Sequence, residues 1–384
     1  MPRILIAPNS FKECAGSVRL ADLFHKALEG TLMERYKRKD FHFIDKPVSD
    51  GGDGFLDVCV ENFHLKREEI TLPAPFEGGE IRASFGYSPE NKTVYVESAG
   101  VLGMRIIPPE KRHPLELSSK GLGELFLWLK NSKASGRLQF DQLTLGIGGT
   151  GTNDFAIGMA SALGLRLLDE KGRYVKPLPE SFRYVKSVEW EDPGLDFEIE
   201  AILDVNTPLL GQRGAARIFA PQKGATPPEV EELEKGLECV VRAIGKSDSS
   251  ADLLGAGGGL AGGLHYFLGA KYKFARDFLR EDLGINSARL KPDLVVTGEG
   301  VFDSQSMMQK GVSFILDEFR RLEIPVFVCA GKIKDVPEEL AEENVKFIEL
   351  SKFFTSPGES MRNIEKGVEL ASEEILKIYF ANRG

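Results

Sequence analysis

Four short segments of this 384-residue chain place glycines, hydroxyls, carboxylates and lysines directly after apolar runs. They are Asn9-Ser10-Phe11-Lys12, Asp50-Gly51-Gly52-Asp53-Gly54, Gly298-Glu299-Gly300-Val301-Phe302-Asp303-Ser304 and Gly331-Lys332. A fifth, Gly146-Ile147-Gly148-Gly149-Thr150-Gly151, leads into Thr152-Asn153-Asp154. Phosphoryl transfer needs this inventory: backbone donors for phosphate, a carboxylate to accept a hydroxyl proton, carboxylates for Mg²⁺ and a cation for developing charge. Glycine has no Cβ and lets its amide approach an anion closely. A strand feeding a glycine loop and then a helix N-terminus is therefore suited to phosphate. The same pattern also serves as a plain βα connection in which Asn or Asp caps the helix.

Single residues carry the same two readings. Lys12 and Lys223 suit phosphate or solvent, Asp50 a ligand or a helix cap, and Asp204, which opens DVNTPLLG, a ligand or a turn. Glu299 and Asp303, four apart in a glycine loop, read more strongly as functional.

These segments need elements to hold them. Residues 3–7 form an apolar run suited to a strand covered on both faces, followed from Ser17 by a helix with Leu20, Leu23, Phe24, Ala27 and Leu28 inward. Residues 41–46 read as a second strand, and a second helix buries Phe55, Val58 and Cys59. That βαβα grammar predicts a parallel sheet with covering helices. From about residue 65 to 97 the alternation and the Pro and Gly breaks predict antiparallel strands. Residues 143–145 form another strand, and Thr152-Asn153-Asp154 open a helix. Thr226-Pro227-Pro228-Glu229 is a capping box ahead of a helix burying Val230, Leu233, Leu237, Val240, Val241 and Ile244. The βα pattern returns with strands at 293–297, 325–330 and 345–350. A single helix from Pro357 turns Met361, Ile364, Val368, Ala371, Ile375 and Ile378 inward. The two ends share one architecture, so the expected organisation is an α/β domain built from both termini (1–65 and 286–384) with a second α/β domain inserted (66–285). Residues 142–164 are left open to join the first sheet.

A net charge of −9 argues against a general nucleic-acid or membrane-surface binder. Four widely spaced cysteines and five scattered histidines show neither disulfide nor zinc spacing. The start, MPRILIAP, lacks a signal peptide's apolar region and no apolar run is long enough to span a bilayer, so a cytoplasmic location is expected. Residues 146–151 also match G-x-G-x-x-G, with Asp169 at about the distance a ribose-binding carboxylate needs, so a dinucleotide-dependent dehydrogenase is the rival reading. Against it, Asp154 would set a carboxylate against the pyrophosphate, and Asp169-Glu170-Lys171-Gly172 reads as a hairpin turn. The match at 257–262 follows no credible strand, and no Walker A or protein-kinase motif set is present.

Nearly end to end, the chain resembles the bacterial glycerate kinase family of the two-domain α/β type. The likeness rests on IAPNSFKE, PVSDGGDGF, VESAG, SSKGLGEL, LGIGGTGTND, LDVNTPLLGQRGAARIFAPQKGAT, GAGGGLAGGL and DLVVTGEGVFDSQS. The resemblance implies phosphorylation of D-glycerate by ATP with Mg²⁺, commonly at the 2-hydroxyl. It also implies a flavodoxin-like domain carrying an inserted α/β domain, with the site in the cleft between them. It places functional weight on Ser10, Phe11, Lys12, Asp50, Gly51, Gly52, Thr152, Asn153, Asp154, Asp204, Lys223, Gly298, Glu299, Asp303 and Ser304. In the division of labour expected from it, Lys12 and Lys223 neutralise phosphate or hold the glycerate carboxylate. Glu299 or Asp50 holds Mg²⁺, Asp303 or Asp154 accepts the hydroxyl proton, Asp204 assists catalysis, and the loops at Gly148, Gly149 and Gly257 supply backbone donors. Five positions depart from the family pattern: Asn9 for Asp, Phe155-Ala156 for Gly-Gly, Val301 for Arg and Gln309 for Gly. Losing a planar, always-charged Arg is not a neutral change, and Phe155 is expected to narrow the room for a ligand. These departures raise two alternatives, a kinase of a related hydroxy acid and a paralogue that binds without turnover. The oligomeric state, a homodimer included, is left open by the sequence.

Overall fold

A strand buried on both faces needs neighbours on both edges, and the computed structural model gives the first strand both. The structure describes residues 1–11, 14–245, 253–303, 311–334, 336, 340 and 344–381, so Lys12, Ser304 and Gln309 lie outside the described residues. Its strands in chain order are β1 (Arg3–Pro8), β2 (His42–Asp45), β3 (Lys66–Pro73), β4 (Glu80–Ser88), β5 (Thr93–Glu97), β6 (Gln142–Gly146), β7 (Arg166–Leu168), β8 (Tyr174–Val175), β9 (Ser187–Glu189), β10 (Glu198–Leu203), β11 (Lys271–Phe274), β12 (Leu294–Phe302), β13 (Val326–Ile333) and β14 (Val345–Glu349). They divide between two units, Met1–Asp50 with Ala275–Gly384, and Gly51–Phe274.

The first unit holds a parallel sheet in the order β14-β13-β12-β1-β2. Numbered within the unit this is the flavodoxin-like order 2-1-3-4-5, whose switch point, the usual place for a ligand, lies between β1 and β12. One face is covered by the helix Ser17–Glu34, through Leu20, Phe24, Leu28 and Leu32, and by the helix Ile364–Ala381, through Val368, Ala371, Ile375 and Leu376. Burying each of these side chains, Ala371 apart, contributes roughly 1.5–3 kcal/mol.

Two expectations are corrected in this unit. The strand expected to end at Thr297 continues to Phe302, because β13 extends beside it with Val301 opposite Lys332 and Phe302 opposite Ile333. Only glycine fits at Gly298, where a Cβ would lie 1.8 Å from the Cys329 carbonyl oxygen. Glu299 is thus a strand residue rather than a loop residue. The helix expected to run unbroken from Pro357 is two helices, Pro357–Arg362 and Ile364–Ala381. Asn363, at φ −114° and ψ 41°, breaks the first, and Met361 is 46% exposed rather than inward.

The second unit holds a six-stranded sheet, β11-β10-β6-β5-β4-β3, antiparallel through β3, β4 and β5 and parallel from β5 to β11. β6 pairs with β5 on one side and β10 on the other, so residues 142–164 belong to this sheet and do not add to the first. The unit boundary falls at 50/51 rather than 65/66, because the helix Phe55–Phe63 packs on β4 and β5. At the other end it falls at 274/275 rather than 285/286, since the chain leaves this unit as soon as β11 has paired with β10. The helix Pro227–Ala243 starts at the expected capping box, with Thr226 and Glu229 bonded reciprocally. A small antiparallel sheet, β8-β7-β9, completes the unit. No helix among the described residues is long and apolar enough to cross a membrane.

Candidate functional site

In the second unit β5, β6 and β10 end in register, with Glu97 and Ile202 both opposite Gly146. Their C-terminal connections are therefore gathered at one edge: Ser98 after β5, residues 147–154 after β6, and half-buried Asp204 after β10. The glycines there are packing requirements. A Cβ on Gly146 would lie 2.6 Å from both the Phe55 ring and the Gly51 carbonyl oxygen, and one on Gly148 would lie 2.6 Å from Gly52 Cα. Gly51 and Gly52 thus form a backbone layer against the glycine loop. The Ser98 hydroxyl donates to the Gly148 carbonyl at 3.1 Å and accepts from the Gly148 amide at 3.2 Å. The Ile147 amide is used by Ile202 and the Gly151 amide by Leu102. Among the described residues this leaves the amides of Gly149 and Thr150 without an acceptor, with Gly149 exposed at φ +65°.

Behind the loop lies a buried polar cluster. The helix expected to open at Thr152 begins only at Ile157, because Phe155 and Ala156 both adopt left-handed backbone, at φ +51° and +56°. A ligand at the loop would thus meet its amides and not a helix N-terminus. Phe155, expected to narrow a ligand's room, instead points into the apolar core, fully buried and 5.9 Å from the Phe267 ring. The reversed turn carries Thr152, Asn153 and Asp154 into the interior, each 1% exposed or less. Asp154 Oδ2 accepts from the Ser119 amide and hydroxyl, both at 2.7 Å, and from the Gly158 amide at 3.1 Å. Lys223, 4% exposed, donates its Nζ to the Thr152 carbonyl at 2.7 Å and to Thr150 Oγ1 at 3.3 Å. Thr152 Oγ1, Asn153 Oδ1 and Asp154 Oδ1 have no hydrogen-bond partner among the described residues. Burial pushes the Asp154 carboxyl above the usual carboxylate range despite the Ser119 and Gly158 bonds. Burial also pulls Lys223 down to about 7, opposed by the Asp154 charge. Gly258 closes the cluster at φ +74°, and a Cβ there would lie 2.0 Å from the Thr152 carbonyl oxygen. Gly257, expected to donate to a ligand, sits beside it at φ +66° against Ile147 and Leu260.

In the first unit the segments after β1 and β12 meet at the switch point. The Asn9 amide donates to the Gly298 carbonyl at 2.8 Å, and the Ser10 amide to Asn9 Oδ1 at 2.8 Å. Asn9 Nδ2 donates to Asp50 Oδ2 at 2.8 Å, while the Gly311 amide donates to Asp50 Oδ1. Asp50 therefore caps the helix Gly311–Phe319. Phe11 is core, 3% exposed. Glu299 is 7% exposed, and Asp303 lies 3.8 Å from Lys334 Nζ with its side chain one-quarter exposed. No group of three or more His, Cys, Asp or Glu side chains among the described residues is placed to hold a metal. An ion here would need one or two carboxylates completed by phosphate oxygens and water, the habit of Mg²⁺.

Three supporting residues escaped the sequence reading. Ser98 braces the glycine loop, Ser119 holds Asp154, and Glu97, pushed up by burial, accepts from the Leu56 amide at 3.0 Å to cap the helix Phe55–Phe63. The VESAG and SSKGLGEL segments contain all three. Asp169 is a turn residue, accepting from the Lys171 and Arg173 amides at 2.8 and 2.9 Å, which removes the ribose ligand the dehydrogenase reading needs.

A flavodoxin-ordered sheet with carboxylates at its switch point, and a second α/β unit with a braced glycine loop, place the chain in the α/β class. The chain belongs to the glycerate kinase family, whose model matches residues 4–380. It is 34% identical over 346 residues to a glycerate kinase of Haemophilus influenzae, covering 87% of this chain and 86% of that one. It is 33% identical over 340 residues to a glycerate 2-kinase of Escherichia coli, with 87% and 86% covered. A crystal structure described as a glycerate kinase 2, from Salmonella typhimurium LT2, matches with a TM-score of 0.77 and 27% identity, covering 100% of this chain and 99% of its own.

Proposed function

We propose that the chain transfers the terminal phosphoryl group of ATP to D-glycerate, at its 2-hydroxyl. The observation that carries this reading is the pair of loop amides at Gly149 and Thr150, left without an acceptor at the joint end of three strands. Such amides suit a phosphate, whose negative charge needs donors that are already oriented. The likeness to a glycerate 2-kinase of E. coli supports the acceptor and the hydroxyl.

The residues divide by exposure. Asp303, partly exposed after β12, is the base that accepts the hydroxyl proton. Asp154 is fully buried and its Oδ2 takes three donors, so it scaffolds the loop rather than meeting substrate. Lys223 acts with it, holding 150–152 from behind, and Lys12 neutralises phosphate. Asp204, at the end of β10, orients the acceptor. Glu299 has the hard oxygen donors that Mg²⁺ prefers and would hold it together with the ATP phosphates, and Asp50, which accepts from Asn9 and Gly311, caps a helix. Bound there, Mg²⁺ would supply charge neutralisation on the phosphate oxygens. The test is ADP release from Mg-ATP in the presence of D-glycerate and, separately, other small hydroxy acids. Release with D-glycerate supports the reading, and release only with another hydroxy acid replaces the acceptor. Ligand-dependent stabilisation without ADP leaves a binding protein.

A further inference from the structure

The glycine loop is strapped along one side by residues 102–107. The Gly151 amide donates to the Leu102 carbonyl at 2.6 Å and the Met104 amide to the Gly149 carbonyl at 3.2 Å. Arg112 fixes the strap from beneath, its Nε donating to the Ile107 carbonyl and its Nη2 to the Met104 carbonyl, both at 3.1 Å. With the backbone held this firmly, the side chain of Arg105 still stands 65% exposed. Its Nη2 lies 3.3 Å from Asp53 Oδ2, and Asp53 Oδ1 is 2.9 Å from where a Cβ on Gly149 would sit. A carboxylate of the chain itself thus occupies the ground between the guanidinium and the exposed glycine of the loop. An exposed ion pair of this kind contributes little, about 0–1 kcal/mol, and is readily exchanged. Lys223, the lysine expected to serve this loop, is turned inward.

We propose that Arg105 is the anion-binding arm of the glycine loop, leaving Asp53 to engage a phosphate of the nucleotide or the carboxylate of the acceptor beside the Gly149 and Thr150 amides. The guanidinium is planar and always charged, with donors that match either group two at a time. Asp53 parks the arm when no ligand is present and opposes binding by competing for it. The assignment rests on the loop being an anion site, so the test reads loop and arm separately.

Dissociation constants for ATP alone and for D-glycerate alone are measured by calorimetry for the parent, Arg105→Ala, Arg105→Lys and Asp53→Asn, alongside hydrogen exchange at 149 and 150 without ligand, with ATP and with D-glycerate. The expected result for Arg105→Ala is an increase of about tenfold or more in one constant, with an unchanged melting temperature. Arg105→Lys recovers part of the loss, and Asp53→Asn tightens the same ligand. A change confined to ATP assigns the arm to phosphate, and one confined to glycerate assigns it to the carboxylate. If ATP protects the loop amides while neither constant moves in Arg105→Ala, the arm is overturned and the loop reading survives. If the loop is not protected by either ligand and neither constant moves, both fail.

Discussion

Replacing Lys223 with Met keeps the length of the side chain and deletes a buried titratable group. In the parent, burial brings this lysine from an ordinary 10.5 down to about 7. An unfolded chain keeps the proton up to about pH 10.5, whereas the folded protein releases it above about pH 7. Between those values the unfolded state binds more protons, so parental stability rises with pH. At 1.36 kcal/mol per unit, and with the lysine half titrated at pH 7, the rise from pH 7 to pH 9 is about 2 kcal/mol. Lys223→Met lacks this contribution and also leaves the Thr152 carbonyl without its donor, a loss of about 1–3 kcal/mol. Both tryptophans, Trp128 and Trp190, lie in the unit spanning Gly51–Phe274, so their fluorescence follows the unfolding of that unit in urea. The parent is expected to gain stability relative to the variant between pH 7 and pH 9. Parallel curves for the two proteins would refute the assignment of a buried, deprotonating lysine.

Other substitutions separate scaffold from chemistry. Ser119→Ala removes the hydroxyl that bonds Asp154 at 2.7 Å and accepts from the Met159 amide at 2.9 Å, so urea unfolding of the tryptophan-bearing unit should show a loss of about 1–3 kcal/mol. Gly258→Ala drives a methyl to within 2.0 Å of the Thr152 carbonyl at a left-handed backbone position, and the melting temperature should fall with a cost of at least about 2 kcal/mol. Asp303→Asn should lower kcat by about 10²-fold or more, a far larger effect than its effect on the melting temperature. Equal loss of turnover and stability would make Asp303 structural.

The sequence carried the parallel sheet of the first unit well, since apolar runs such as residues 3–7 have one sensible use and the order of βα units constrains their neighbours. The Thr226 cap was equally legible because its signal is local. Long-range pairing was not: only β13 tells β12 to continue to Phe302, and nothing in residues 55–63 says which sheet that helix covers. The site divided in the same way. Residue types at the strand ends announced glycine loops and acids. The left-handed pair Phe155-Ala156 reads as ordinary helix in sequence, yet it buries Asn153 and Asp154. Asp50 was readable as a cap, but its helix begins 261 residues away. Ser98 and Ser119 are small hydroxyls whose importance comes from what they touch.

Phosphorus NMR of the product formed from Mg-ATP and D-glycerate tests phosphorylation at the 2-hydroxyl most directly. A phosphomonoester signal coupled to the proton on carbon 2, growing in step with ADP, is the expected result. ADP formed with only inorganic phosphate beside it, or no turnover from protein that binds both ligands, would contradict a glycerate phosphotransferase.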